Sequence, residues 1–265
     1  MRLHGKAERL RQQLREYGRV GVAFSGGADS SLLLRAAADA LGAENVLALH
    51  ARSCLQTHEE QERAQSWPQR QGCSVRLRIL DFEPLTWPDF TANPPERCYL
   101  CKRRIYSRFL ELLAEEKIAV LLDGTHADDL QQGAAGRPGL RAVAELGVQT
   151  PLADCGLSKA EVRELSRELK LDTWNRPSGS CLATRLRVGM TITAERLARV
   201  AAMEQVLADA GFSGCRARLL DDKMVCIQLA EEDIGQQSAL AILRKLRGQL
   251  RSAGAEKIFL DLNGR

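Results

Sequence analysis

No stretch of this chain approaches the ~18 consecutive apolar residues of a membrane-spanning helix, so no membrane segment is expected. Aromatic residues are scarce: three Trp and three Tyr leave little with which to stack nucleic-acid bases. An excess of one charge is lacking too, since 38 Lys+Arg against 34 Asp+Glu give only +4, and arginine is spread along the chain. Nucleic acid is therefore not an expected partner. The opening residues, MRLHGKAERLRQQLREYG, lack the apolar core and small-residue cleavage site of a secretion signal, and a cytoplasmic location is expected. Repeats and low-complexity tracts are absent. The 265 residues do contain eight cysteines. In a cytosolic chain a disulfide framework is not expected, so some of these thiols are expected to do chemistry or bind metal.

From residue 20 to about 151, short apolar runs (20–25, 46–51, 75–80, 118–123 and a short one near Val148) alternate with helical patterns. Those patterns start near Ser30, Thr57 and Cys101. Such alternation is the signature of a parallel sheet with helices on both faces. Ahead of it, Leu10, Leu14 and Tyr17 share one face of a docked helix. Ser158 and Glu161 have the spacing of a capping box. After Trp174 the alternation gives way to a Pro/Gly/Ser/Arg-rich connector over 175–189. A helix over 193–210, strands over 216–220 and 224–229, another helix and a strand over 257–262 follow. The expectation is an α/β fold in two parts, a domain over 1–180 and a small α+β domain over 181–265.

Ser25-Gly-Gly-Ala-Asp29-Ser30-Ser31 stands between the first strand and a Leu/Ala-rich helix. Gly26 and Gly27 permit a tight turn and close approach of a ligand. The hydroxyls of Ser25, Ser30 and Ser31, with the unpaired N–H groups of the new helix, make an anion site. With no lysine it is not the GxxxxGK[ST] loop, and it lacks the GxGxxG spacing; a plain strand–turn–helix connection is the alternative. A second segment, Asp123-Gly-Thr-His-Ala-Asp128-Asp129, ends the fourth strand, on the side of an open α/β sheet where ligands bind. There Gly124 lets the backbone lie against a flat base, and Asp128 and Asp129 suit a cation or Arg137. An Asp-capped helix start accounts for the same residues equally well.

Cys98 and Cys101 lie at i and i+3, on one face at the positive end of a helix, which lowers thiol pKa and favours metal thiolates. A redox pair and two ordinary thiols compete with that reading, and no second CxxC completes a four-Cys zinc site. Cys181, in Arg176-Pro-Ser-Gly-Ser-Cys181-Leu-Ala-Thr-Arg185-Leu-Arg187, has three flanking arginines and is expected to be exposed and reactive. An iron–sulfur centre normally takes four Cys ligands; three thiolates leave one iron open. Cys54, Cys73, Cys155, Cys215 and Cys226 are expected in the core, with Cys155 as the exception because it falls in a loop. His50, at a strand's carboxyl end, is expected to pack rather than to line a pocket.

SGGADS resembles the pyrophosphate loop of the PP-loop ATP pyrophosphatases, an adenine nucleotide alpha hydrolase-like fold. That resemblance implies ATP with Mg2+, bound through Ser25, Gly26, Gly27, Asp29 and Ser30, with Asp29 beside the metal. DGTHADD is similar to the DGTNxDD of PP-loop sulfurtransferases and implies nucleotide contacts from Gly124 and Asp128. Arg137-Pro-Gly-Leu-Arg-Ala-Val-Ala-Glu-Leu-Gly-Val, Thr150-Pro-Leu-Ala, Leu157-Ser-Lys-Ala-Glu-Val-Arg, Trp174-Asn-Arg-Pro and Ser180-Cys-Leu-Ala-Thr-Arg185 together resemble the LarE family.

LarE-like activity implies an ATP-dependent sulfur transferase of nickel-pincer nucleotide synthesis. It adenylates a carboxylate of a pyridinium-3,5-biscarboxylate mononucleotide, then replaces AMP with sulfur to give a thiocarboxylate. The resemblance implies a [4Fe-4S] cluster on Cys98, Cys101 and Cys181, with Cys181 as sacrificial sulfur donor in the alternative type. It also implies phosphate binding by Arg216 and Arg218, which alternate on a strand and so share a face. Glu204 matches an acidic position near the sulfur site. A homo-oligomer is expected, and a protein delivering sulfide is left open. A PP-loop tRNA thiolase is the competing reading, but the zinc-finger CxxC pairs and basic RNA face it calls for are not visible in the sequence.

Overall fold

The computed structural model describes residues 2–131, 138–177, 179–235 and 238–265. Two units divide the chain: Met1–Ser53, His58–Phe82 and Glu96–Arg176 form the first, and Cys54–Thr57, Glu83–Pro95 and Pro177–Arg265 the second.

The first unit is built on four parallel strands: β1 (Val20–Ala23), β2 (Val46–Arg52), β3 (Arg76–Asp81) and β4 (Val120–Leu122), in the order β3-β2-β1-β4. Val20 is in register with Val46 on one side and Val120 on the other. All four residues of β1 are buried, as a central strand covered on both faces must be, whereas β3 at the edge alternates exposed and partly buried positions. The strand expected near Val148 shrinks to a single parallel bridge, Leu122 to Gln149.

Helices α1 (Leu3–Tyr17), α2 (Ala28–Leu41), α3 (His58–Arg70), α4 (Arg97–Glu115), α5 (Ala127–Gln131), α6 (Pro138–Glu145) and α7 (Lys159–Glu168) surround the sheet. One core joins Leu10 and Leu14 of α1, Leu32–Leu34 of α2, and Val162 and Leu165 of α7 to Val20 and Val22. The other joins Tyr106, Phe109 and Leu113 of α4 to Leu47, Leu49 and Leu121. Gly21 makes this second packing possible: a Cβ there would lie 2.6 Å from the Leu113 methyls. Helix α4 begins at Arg97, so Cys98 and Cys101 both lie in its first turns, as their spacing predicts.

In the second unit, β5 (Arg216–Leu219) pairs antiparallel with β6 (Met224–Gln228), and β6 pairs parallel with β7 (Lys257–Leu260). Helices α8 (Ala194–Asp209) and α9 (Ala239–Ser252) complete it. The buried Asn93, in a left-handed conformation at φ 56, ties the segment before α4 into this unit. Its amide donates to the Arg187 and Met190 carbonyls, each at 2.9 Å. No helix among the described residues is long and apolar enough to cross a membrane.

Candidate functional site

Strand order in the first unit reverses at β1, because β2 and β3 lie to one side of it and β4 to the other. The crevice at the carboxyl ends of β1 and β4 is therefore where ligands of such sheets bind. Both loops singled out in the sequence are there. Ser25 Oγ meets Ser30 Oγ at 3.1 Å, the Gly27 N–H points to Ser25 Oγ at 3.4 Å, and Ser30 Oγ donates to the Gly27 carbonyl at 3.3 Å. Helix α2 starts on this turn, and the first-turn N–H groups of a helix have no partners within it. Gly26 takes φ +77, and a Cβ on it would come within 3.0 Å of Ala64 of α3. Ser31 departs from expectation: it is fully buried, and its hydroxyl has no hydrogen-bond partner.

Gly124 abuts the same turn, since a Cβ there would lie 3.0 Å from the Ser30 amide nitrogen and 3.2 Å from the Asp29 carbonyl carbon. Its smoothness serves contact between the two loops. Asp29, in the first turn of α2, is held by Lys159, whose Nζ is 2.6 Å from each carboxylate oxygen. Asp128 accepts the Lys159 backbone N–H at 2.8 Å, and Asp129 lies 3.3 Å from His126 Nε2. Arg137, expected beside these carboxylates, lies outside the described residues. His50 is buried, with Nδ1 2.9 Å from the Phe24 carbonyl, and burial pushes its pKa down. It packs, as expected.

A buried charge cluster under the β4 loop went unnoticed in the sequence. Asp123 accepts from the Tyr106 hydroxyl, the Thr125 hydroxyl and the Thr125 amide, the last at 2.8 Å, and lies 2.9 Å from Lys102 Nζ. Burial alone would raise its pKa, yet the Lys102 ammonium and these hydrogen bonds hold it below the ordinary carboxylate value. Burial and Asp123 together push Tyr106 well above its usual range. The available signal was the i, i+4 spacing of Lys102 and Tyr106, which puts both on one face of α4.

Cys98 and Cys101 are half-buried on the first turn of α4, and Arg97 Nη2 lies 3.9 Å from Cys98 Sγ. The start of α6 lies beside this turn: a Cβ on Gly139 would lie 3.4 Å from Lys102 Cδ and 3.8 Å from the Cys98 carbonyl oxygen. None of the eight cysteines is disulfide-bonded. Two core expectations need correction. Cys54 is exposed, because it stands in the turn after β2, and Cys226 is only half-buried on the outer face of its sheet. Cys155, expected as the exception, is buried, and its thiol donates to Gln13 Oε1 at 3.3 Å.

In the second unit, Cys181 heads a 3-10 turn, Leu182–Arg185. Arg185 grips that turn, donating from Nη1 to the Ser180 carbonyl at 2.7 Å and to Thr184 Oγ1 at 3.0 Å. Its other edge forms a fork with Glu204, at 2.7 and 3.0 Å. Glu204 also accepts the Ala217 amide at 3.1 Å, so it locks the cysteine turn to β5. Arg185 therefore spends its charge on Glu204. Arg216 and Arg218 share a half-buried face of β5, and Arg218 donates to Gln228 and, at 3.0 Å, to the Thr184 carbonyl. Arg216 is pushed down to about 10, by burial first and then by Arg265, Arg185 and Arg218. Arg185 pairs with Glu204, Arg216 and Arg265 feel the same carboxylate, and Arg218 acts on Asp261, so positive charge is in local excess here, which attracts anions. Among the described residues, no three His, Cys, Asp or Glu side chains are gathered to hold a metal ion.

Comparison with known proteins adds to this geometry. No protein-family model matches the chain. It is 35% identical over 262 residues to an uncharacterised protein of Synechocystis sp., covering 99% of this chain and 95% of that one. It is 36% identical over 251 residues to the pyridinium-3,5-bisthiocarboxylic acid mononucleotide synthase of Lactiplantibacillus plantarum, covering 95% of this chain and 88% of that one. An uncharacterised protein of Methanocaldococcus jannaschii is 31% identical over 167 residues, 62% of this chain and 60% of its own.

Proposed function

The chain belongs to the LarE family, that of the pyridinium-3,5-bisthiocarboxylic acid mononucleotide synthase, and from that premise we propose that it is an ATP-dependent sulfur transferase. Its product is a thiocarboxylate in the synthesis of a nickel-pincer nucleotide. The observation that carries this reading is the collinearity of nearly the whole chain with that synthase, with an anion-binding turn at the switch point of its sheet.

A carboxylate oxygen is a poor leaving group. The substrate carboxylate attacks the α-phosphorus of ATP, pyrophosphate departs, and the carboxyl carbon then carries AMP. Sulfur adds to that carbon and AMP leaves. The turn of Ser25, Gly26, Gly27 and Ser30 cradles the triphosphate with hydroxyls and N–H groups, and Asp29 would hold the Mg2+ that neutralises the phosphates. Gly124 and Asp128 border the base. Arg216 and Arg218 take the substrate phosphate, since a guanidinium fork matches phosphate geometry. Glu204 acts through Arg185 to fix the turn that presents Cys181.

Cys98 and Cys101, one helical turn apart on a single face, would suit two ligand positions of a [4Fe-4S] cluster, for which the family resemblance would add Cys181 as the third thiol. When bound, such a cluster supplies an iron with an open position for sulfide. A second reading takes Cys181, at the head of the turn held by Arg185, as a donor that gives up its own sulfur and ends as dehydroalanine.

Iron and acid-labile sulfide in protein purified without oxygen separate the two. About four iron per chain in wild type, lost in Cys98→Ala, supports the cluster. Iron-free protein that loses the mass of one sulfur on turnover supports the sacrificial thiol. Absence of pyrophosphate release from ATP with the biscarboxylate mononucleotide would overturn both.

A further inference from the structure

The phosphate turn contains no lysine, but the fold brings one to it from a distance. Lys159 is the first residue of α7, and the entry to that helix is fixed from three sides. Ser158 and Glu161 form a reciprocal capping box, and Glu161 also pairs with Lys6 at 2.7 Å. The Lys159 amide donates to Asp128 Oδ2 at 2.8 Å, and the Ala127 amide donates to the Leu157 carbonyl at 2.8 Å. These bonds stitch the start of α7 to the loop after β4. From there the side chain reaches Asp29, with Nζ 2.6 Å from both oxygens and each side chain about three-quarters buried, at 24% and 29% exposure.

A single ammonium bridging both oxygens leaves little room for a divalent cation on Asp29. Mg2+ requires carboxylate oxygen at about 2.0–2.1 Å in octahedral geometry, and it would meet a like charge on the same carboxylate. A nucleoside triphosphate changes the balance. Its several negative charges outweigh the one on Asp29, and the four-carbon stem of lysine lets the ammonium turn from the carboxylate to the phosphates.

We propose that Lys159 gates the nucleotide site. With no nucleotide present it neutralises Asp29 and keeps divalent cations off it. When a triphosphate arrives it moves to the phosphates, and Asp29 passes to the cation that accompanies them. Metal thus enters with the nucleotide and not before it. The inference rests on the ATP reading above, and Lys159 acts in it as a positioning residue.

The test uses Mn2+ as the probe, followed by paramagnetic resonance on the full nucleotide-free chain, alongside calorimetry with a non-hydrolysable ATP analogue. Wild type is expected to bind no Mn2+ alone. Lys159→Gln is expected to gain a Mn2+ site that a second change, Asp29→Asn, removes. The same variant should bind the analogue roughly 10- to 100-fold more weakly, the size of a lost charge-assisted hydrogen bond, while Lys159→Arg retains affinity. Wild type that takes up Mn2+ as well as Lys159→Gln does, or equal affinity of both for the analogue, overturns the gate alone. Wild type that binds no analogue at all overturns the ATP reading and the gate with it.

Discussion

Gly26 shows how much one residue of the anion turn is constrained. Its φ of +77 is costly for any L side chain, and a Cβ would also press on Ala64 at 3.0 Å. Gly18 has a similar φ of +70 with nothing within 4 Å, so it isolates the backbone cost. Gly18→Ala should lower stability by about 1 kcal/mol in urea titration, and Gly26→Ala by about 2–3 kcal/mol with loss of nucleotide binding. His50 offers a pH test. Burial, opposed by the bond to the Phe24 carbonyl, leaves its folded pKa below the ordinary value, so the unfolded chain binds a proton that the folded one refuses. The stability it contributes is present above about pH 6.5 and is lost as pH falls toward its folded pKa, at about 1.4 kcal/mol per unit of depression. Urea midpoints at pH 7.5 and 5.5 should therefore separate more for wild type than for His50→Asn, which keeps a donor to the Phe24 carbonyl. The glycines and serines of the turn were legible because their constraint is local. Ser31 was not, because which hydroxyl of a Ser-Ser pair enters the core depends on the helix's packed face.

Among the elements, two helices with the same kind of cap serve different ends. Ser158 accepts from the Glu161 amide at the head of α7, and Thr193 accepts from the Arg196 amide at the head of α8. Removing either hydroxyl should cost about 1 kcal/mol. Only α7 carries Lys159 at its first position, so Ser158→Ala should also weaken binding of the ATP analogue, whereas Thr193→Ala should not. Equal effects on nucleotide affinity would show that α7 has no special role in the site. Caps and strands of this chain were readable since their signals lie within a few residues. The Lys159–Asp29 pair spans 130 residues, and the bonds from Asn93 to Arg187 and Met190 span 94 and 97. No periodicity reports such contacts.

For the whole molecule, a net charge of +4 suggests an unremarkable surface, yet charge is distributed unevenly. In the second unit Arg185, Arg216, Arg218 and Arg265 act on one another with Glu204 and, beside Arg218, Asp261 as nearby carboxylates, and α9 carries Arg244, Lys245, Arg247 and Arg251 with no acid. Composition averages this away, and only the register of β5 beside the Cys181 turn brings the guanidiniums together. Glu204 is the counterweight that permits the cluster without a ligand. Its forked partner Arg185 is only 7% exposed, so Glu204→Gln leaves a buried cation unmatched. The expected cost is about 3 kcal/mol, in the range for breaking a buried pair, with a fall in thermal midpoint. Because the deficit is one of negative charge, inorganic phosphate should restore stability to Glu204→Gln more than to wild type, and chloride at equal ionic strength should not. A variant that phosphate fails to rescue would mean that Glu204 acts through the geometry of its fork with Arg185 and not through its charge. Rescue would instead assign to Glu204 the task of holding the cluster ready until the substrate's own phosphate takes over part of that charge.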